Sequence, residues 1–252
     1  MNKRQMFGQH VLHDSSIQDI ILNVSDVNDK KIVYEIGTGL GELTQKFCSR
    51  SLHVFSCELD KDLYYKAEKK LSYLKNLTLI QGDGFFQKIK YNILTSNLPY
   101  SESSRFIRWL STQKFEKAVV TLQREFANKL MAQPGTKSYK AISALAQYLF
   151  KIEEIIDVHP NSFNPPPKVY SKVIIIKPKF VDKKISPDLL KYLRLIFSFR
   201  GKKVSTAIRH IIDQNKAIIN KSNPLILNKR VEKLYPEDFV KLFYEDGKQF
   251  EK

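Results

Sequence analysis

Five short apolar runs, four of them followed by an amphipathic stretch, constrain this 252-residue chain more than any other feature. They are "KIVYEIG" (31–37), "HVFSCELD" (53–60), "LTLIQGD" (77–83), "YNILTSN" (91–97) and "KAVVTLQ" (117–123). Each reads as a strand that stops at a polar residue. "LGELTQKFCSR", "KDLYYKAEKKLSYL", "SRFIRWLS" and "REFANKLMAQPG" read as the helices between and after them, the last with a Pro-Gly stop. Strands alternating with helices predict a parallel sheet with helices on both faces, an α/β Rossmann-like arrangement.

Upstream, Ile17, Ile20, Ile21 and Val24 recur at helical spacing, with Asp14 or Ser15 as the cap. Downstream, "KIEEIIDVHP" and "KVIIIKPK" are strand-like and joined by the proline-rich "NSFNPPPKVYS", so they can pair antiparallel at a sheet edge. Past Lys179 strands disappear, and "SPDLLKYLRLIFSFR", "KVSTAIRHIIDQ" and "YPEDFVKLFYED" read as helices. The expected organisation is a catalytic α/β domain over 1–179 and a small helical domain over 180–252.

The formal net charge is +16, which favours a polyanionic partner. From residue 168 onward there are 20 Lys or Arg against 9 Asp or Glu, so the last third holds much of the surplus. No apolar run approaches the ~20 residues needed to span a bilayer, so nucleic acid is preferred over membrane. The start, "MNKRQMFGQHVLHD", has no long apolar segment of the signal-peptide kind. Cys48 and Cys57 lack redox or zinc-knuckle spacing and read as core thiols of a reducing cytoplasm. The five histidines are scattered and no metal set is expected. Nothing demands more than a monomer.

"EIGTGLG" (35–41) ends the first strand and opens the first helix, with glycines at 37, 39 and 41. Such a turn lets the backbone approach a ligand closely. The spacing is GxGxG rather than the dinucleotide GxGxxG, though glycines alone do not exclude a dinucleotide. Glu58 closes the second strand, 21 residues after Gly37, about where a carboxylate takes both ribose hydroxyls. Asp83 closes the third strand and can accept a hydrogen bond from an adenine amine. Either acid alone could equally be a helix cap or a loop charge. Together, at one edge of a parallel sheet, they mark the edge where such sheets bind ligands. With no Lys or Arg in the glycine turn, they suit a nucleoside without phosphates; S-adenosylmethionine is one.

Asn97-Leu98-Pro99-Tyr100 follows the fourth strand. Taken alone, the four residues make a turn that stops a strand. At the same sheet edge they can do more. The Asn97 oxygen can accept one N–H of an exocyclic amine and the Leu98 carbonyl the other. Pro99 fixes φ and holds that carbonyl, while Tyr100 offers a face for a base to stack on. Two acceptors gripping the hydrogens of an adenine amine favour a pyramidal nitrogen whose lone pair can meet a methyl donor.

These pieces resemble the ribosomal RNA adenine N6-dimethyltransferases, the KsgA group. The matching stretches are "FGQHVLHD", "EIGTGLGELT", "CELD", Gly82-Asp83, "NLPY", "QREFANKLMAQPGTKSY" and "FNPPPKVYSKV", in order over about residues 7–177. "IFSFRGKKVSTAI" looks like that group's basic helix start. The resemblance implies an S-adenosylmethionine site of His10, Leu12, Gly37, Gly39, Glu58, Asp83 and Asn97. It implies a target adenine held by Asn97, Leu98, Pro99 and Tyr100, with Phe163 against its other face. The family usually has Asn where this chain has His10, whose imidazole can still donate or accept a hydrogen bond. The implied substrate is two adjacent adenines in a hairpin near the 3′ end of small-subunit ribosomal RNA, each methylated twice. Arg200, Lys202, Lys203 and Arg209 are the candidates for holding the RNA backbone. The nearest alternatives are an Erm-type enzyme acting on large-subunit ribosomal RNA and a non-catalytic nucleic-acid-binding relative. A DNA adenine methyltransferase usually has Pro where Leu98 stands.

Overall fold

A computed structural model describes residues 10–181, 186–211 and 224–246. Phe7–Gln9 of the first motif and the end of the "KVSTAIRHIIDQ" helix, from residue 212, lie outside them. The chain forms two compact units, Met1–Ala127 with Lys151–Pro178, and Asn128–Phe150 with Lys179–Lys252.

The first unit carries a seven-stranded sheet. Its strands are β2 (Ile32–Ile36), β3 (His53–Glu58), β4 (Leu77–Gln81), β5 (Ile93–Asn97), β6 (Lys117–Gln123), β7 (Phe150–Val158) and β9 (Ser171–Pro178). The order across the sheet is β4-β3-β2-β5-β6-β9-β7. β4, β3, β2, β5 and β6 are parallel, as the alternation predicts, and β9 runs antiparallel to β6. The strands joined by the proline-rich loop are neighbours at the edge. β1 (Val11–Leu12) and β8 (Phe163–Asn164) form a separate antiparallel pair, with Leu12 opposite Phe163. Sequence periodicity does not foresee this pair, because two-residue strands have no period to detect.

Burial explains why the central runs are apolar on both faces. Val33, Tyr34, Leu94 and Val119 are all fully buried. Each of the Val and Leu side chains among them stabilises the fold by ~1.5–3 kcal/mol relative to exposure. Helix α1 (Ser15–Val24) starts at Asp14, whose Oδ1 accepts from the backbone N–H of Ser16 at 3.0 Å. Helix α2 (Glu42–Cys48) starts after Gly41, at φ +80°. A Cβ there would stand 2.5 Å from Leu71 Cδ1, at the end of α3 (Lys61–Leu71), so both backbone and packing require glycine. Two further helices, α4 (Ser103–Leu110) and α5 (Arg124–Leu130), precede and follow β6.

The second unit is helical: α6 (Ala141–Leu149), α7 (Pro187–Ser198), α8 (Val204–Ile211) and α10 (Pro236–Asp246) are its longest described helices, and α9 (Pro224–Leu227) is a single turn. Its core packs aromatic rings together, Tyr139 edge-on to Phe197 at 5.6 Å and Phe197 tilted against Phe239 at 4.9 Å between centroids. The expected single boundary near Phe180 leaves 128–150 with the first domain. That segment instead groups with the tail. The Tyr139 hydroxyl donates to the Leu234 carbonyl, and Arg200 donates to the carbonyls of Thr136 and Lys137. Local periodicity carries no trace of such pairings.

Candidate active site

The sheet order reverses between β2 and β5, and ligands of open α/β sheets bind at the carboxyl ends of the strands flanking such a point. A cavity of about 620 Å³ lies there, in the first unit. Ten of the predicted residues line it: His10, Leu12, Gly37, Gly39, Glu58, Asp83, Asn97, Leu98, Pro99 and Tyr100.

Each acid is held in a set orientation. Glu58 is 4% exposed; its Oε2 accepts the Gly39 N–H and its Oε1 the Asp60 N–H, both at 2.9 Å. Burial raises its pKa above the usual carboxylate value, and those backbone bonds pull the other way. One lone pair on each oxygen is left for a ligand, a geometry that suits a vicinal diol. Asp83 caps the turn Gly84–Phe86: its Oδ1 accepts the Phe85 N–H at 2.8 Å and its Oδ2 accepts from Arg105 at 2.7 Å.

Asn97 has one determined orientation. Its Nδ2 donates to the His10 carbonyl at 2.7 Å. A carbonyl can only accept, so the amide nitrogen must face it, and Oδ1 is the end without a partner among the described residues. The His10 ring is fixed by the same reasoning. Its Nδ1 lies 2.7 Å from the Pro165 carbonyl and therefore carries the proton. The His10 and Tyr100 ring centroids are 5.7 Å apart. The Tyr100 hydroxyl shares a 2.7 Å hydrogen bond with the Ser171 hydroxyl, which locks the ring over the cavity edge.

Two predicted placements need correction. Phe163 does not line the cavity. It is 2% exposed and belongs to the core cluster with Leu12, Ile17 and Ile21, because pairing with β1 turns its ring inward. Leu12, its partner across the strand pair, lies in the same cluster. Arg200, in the second unit, donates to Glu232 through Nε at 3.1 Å and to the Lys137 and Thr136 carbonyls through Nη1 and Nη2. Its fork is engaged inside its own unit. Lys202, Lys203 and Arg209 are exposed and take no side-chain partner among the described residues.

Sequence reasoning missed several wall residues. Glu35 is 2% exposed, and its Oε2 accepts from the hydroxyls of Thr44 at 2.5 Å and Ser56 at 2.6 Å. Burial pushes its carboxyl up to about 7, those hydroxyls oppose the rise, and the Glu58 charge adds to it. A lone acid inside the apolar run "KIVYEIG" was the available signal. Leu59 lines the cavity while 59% exposed, an apolar residue standing between two acids in the sequence. Phe85 and Arg105 line it as well, and Ser171 holds Tyr100 from β9.

The charge on the wall decides what fits. In a chain of net charge +16, the cavity presents five carboxyl groups (Glu35, Glu42, Glu58, Asp83 and Glu102) and one guanidinium, Arg105. A phosphate-bearing dinucleotide would meet repulsion there. A cationic nucleoside with a ribose diol and a purine amine meets complementary groups, and S-adenosylmethionine has these features.

A seven-stranded sheet in this order, with this cavity, is the Rossmann-like architecture of S-adenosylmethionine-dependent methyltransferases. Two solved structures share it: a dimethyladenosine transferase from Plasmodium falciparum (TM-score 0.83, 27% identity, 94% of this chain and 98% of that one) and the 23S rRNA methyltransferase ErmE (TM-score 0.67, 94% and 100%), whose 21% identity speaks to fold alone. A family model described as "Ribosomal RNA adenine dimethylase" matches residues 1–246, and the chain belongs to that family. Among its relatives, "Ribosomal RNA small subunit methyltransferase A" of Borreliella burgdorferi is 32% identical over 95% of this chain and 87% of its own length. The probable enzyme of that name from Methanospirillum hungatei is 34% identical over 92% and 94%.

Proposed function

We propose that this chain transfers methyl groups from S-adenosylmethionine to the N6 atoms of adenines in small-subunit ribosomal RNA, with the two adjacent adenines of a hairpin near the 3′ end as substrate. The observation that carries the chemical reading is the Asn97 amide. Its nitrogen is committed to the His10 carbonyl, which leaves its oxygen as the acceptor this cavity-lining residue can offer a ligand.

When bound, the cofactor supplies a methyl group already activated by its positive sulfur. The chain supplies orientation and charge. Glu58 holds the ribose diol, Asp83 accepts from the cofactor's purine amine, and the backbone at Gly37 and Gly39 allows close approach. On the acceptor side, the Asn97 oxygen and Leu98 carbonyl take the two N–H groups of the target amine, so its lone pair leaves the plane of the base. Tyr100, locked by Ser171, gives the unstacked base a surface.

The relatives named for the small subunit favour that substrate over the large-subunit alternative. The test is transfer of labelled methyl to small-subunit particles lacking the modification, against large-subunit RNA, with the methylated nucleotide mapped. Label confined to large-subunit RNA would assign the Erm-type activity. Cofactor binding without transfer to either would assign the non-catalytic role.

Two expected outcomes concern the RNA side. Tyr100→Ala removes a stacking face worth ~1–3 kcal/mol, so methylation efficiency should fall roughly 10- to 100-fold. Affinity for S-adenosylhomocysteine should change far less, and equal losses by calorimetry would remove Tyr100 from the base site. Charge reversal at Lys202 and Lys203 should reduce the slope of log affinity against log salt by roughly one for each phosphate no longer neutralised. Arg200→Ala should lower the melting temperature instead, because its guanidinium holds Thr136, Lys137 and Glu232. An unchanged salt slope for the lysine variant would move the RNA contact elsewhere.

A further inference from the structure

Among the described residues, Arg105 is the only guanidinium on the cavity wall, and the chemistry above makes no use of it. It stands in the first turn of α4. Its Nη2 donates to Asp83 Oδ2 at 2.7 Å and its Nη1 to Glu102 Oε2 at 3.1 Å. Its central carbon lies 4.4 Å from the Phe85 ring centroid and 5.4 Å from that of Phe86. The partners come from two places. Asp83, Phe85 and Phe86 follow β4, while Glu102 belongs to the turn that Tyr100 begins. A planar guanidinium can satisfy both kinds of contact at once, edges to carboxylates and face to rings; an ammonium group cannot.

The consequence falls on Asp83. Without Arg105, one carboxylate oxygen would be held by the Phe85 N–H and the other would be free to turn toward water. With it, both oxygens are fixed, each keeping a lone pair. We propose that Arg105 is a positioning residue: it holds the Asp83 carboxylate and the Phe85 ring in the arrangement that recognises a purine amine. The proposal rests on the cofactor reading given above, in which Asp83 accepts from the cofactor's amine.

The test is calorimetric titration of the full chain, Arg105→Ala and Arg105→Lys with two ligands: S-adenosylhomocysteine and its analogue lacking the 6-amino group. The wild-type protein should prefer the amine-bearing ligand by about tenfold, the size of one hydrogen bond to a charged group. Arg105→Ala should lose about tenfold on S-adenosylhomocysteine and less than about twofold on the analogue. Arg105→Lys, which keeps the charge and loses the fork, should fall between; it carries the comparison should the alanine variant not fold. Equal losses on both ligands would make Arg105 a packing residue and overturn the proposal, as would no loss on either. A wild-type protein indifferent to the amine removes Asp83 from amine recognition, and this proposal falls with it. A wild-type protein that binds neither ligand overturns the cofactor reading itself.

Discussion

Asn97→Ala is expected to lower the rate of methyl transfer by about 10²–10³-fold, the usual loss when one preorganised polar group at a reacting centre is removed. The expectation follows from how the amide is held. Its Nδ2 is tied to the His10 carbonyl at 2.7 Å, so Oδ1 needs no reorganisation to meet the incoming amine. The same bond joins the first motif to the fourth strand of the alternating series, so the variant should also lose several-fold in cofactor affinity. Asn97→Asp sharpens the test. It keeps an acceptor oxygen but sets a carboxylate against the His10 carbonyl, where a donor is needed. It should therefore lose transfer nearly as severely as alanine. Single-turnover rates at saturating cofactor separate chemistry from binding. A rate unchanged in either variant would mean that the amide does not steer the amine.

Glu35→Gln is expected to change how stability depends on pH. In the folded protein the buried Glu35 carboxyl is pushed from 4.5 up to about 7. The folded state therefore holds this proton more tightly than the unfolded chain does. Its contribution is full below about pH 4.5, declines as pH rises toward 7 and is flat above that. At ~1.4 kcal/mol per pKa unit, the loss across that window is on the order of 3 kcal/mol. The substituted amide has no proton to lose and keeps a carbonyl oxygen for the hydroxyls of Thr44 and Ser56. Denaturation of both proteins between pH 5 and 8, without cofactor, should show the variant gaining on the wild type as pH rises. Titrating groups that do not interact with Glu35 cancel in the difference; Glu58, whose charge acts on it, adds a smaller contribution. Stability curves that stay parallel would mean that Glu35 does not hold its proton more tightly in the folded state.

The alternation of runs such as "KIVYEIG" and "LGELTQKFCSR" makes the parallel sheet readable from the sequence alone. Backbone period is local information, carried by neighbours within one element. Strand ends are local too, which is why Glu58, Asp83 and Asn97 could be placed at one rim from residue type and position. The failures share a different cause. Phe163 and Tyr100 both sit beside polar or proline-rich turns, yet pairing with β1 buries one and Ser171 holds the other at the cavity. Arg200 looked like a surface charge until Glu232, far along the chain, took its fork.

By itself, then, the order of amino acids determined the α/β class, the positions of the glycine turn and the strand-ending acids, and the family's motifs. Only the tertiary structure decided which atom of Asn97 is tied to His10, that Arg105 bonds to Asp83, and that 128–150 groups with the tail. Those outcomes depend on hydrogen bonds and packing between residues tens of positions apart. Such partners are chosen by how the elements pack, and no short window of sequence contains them.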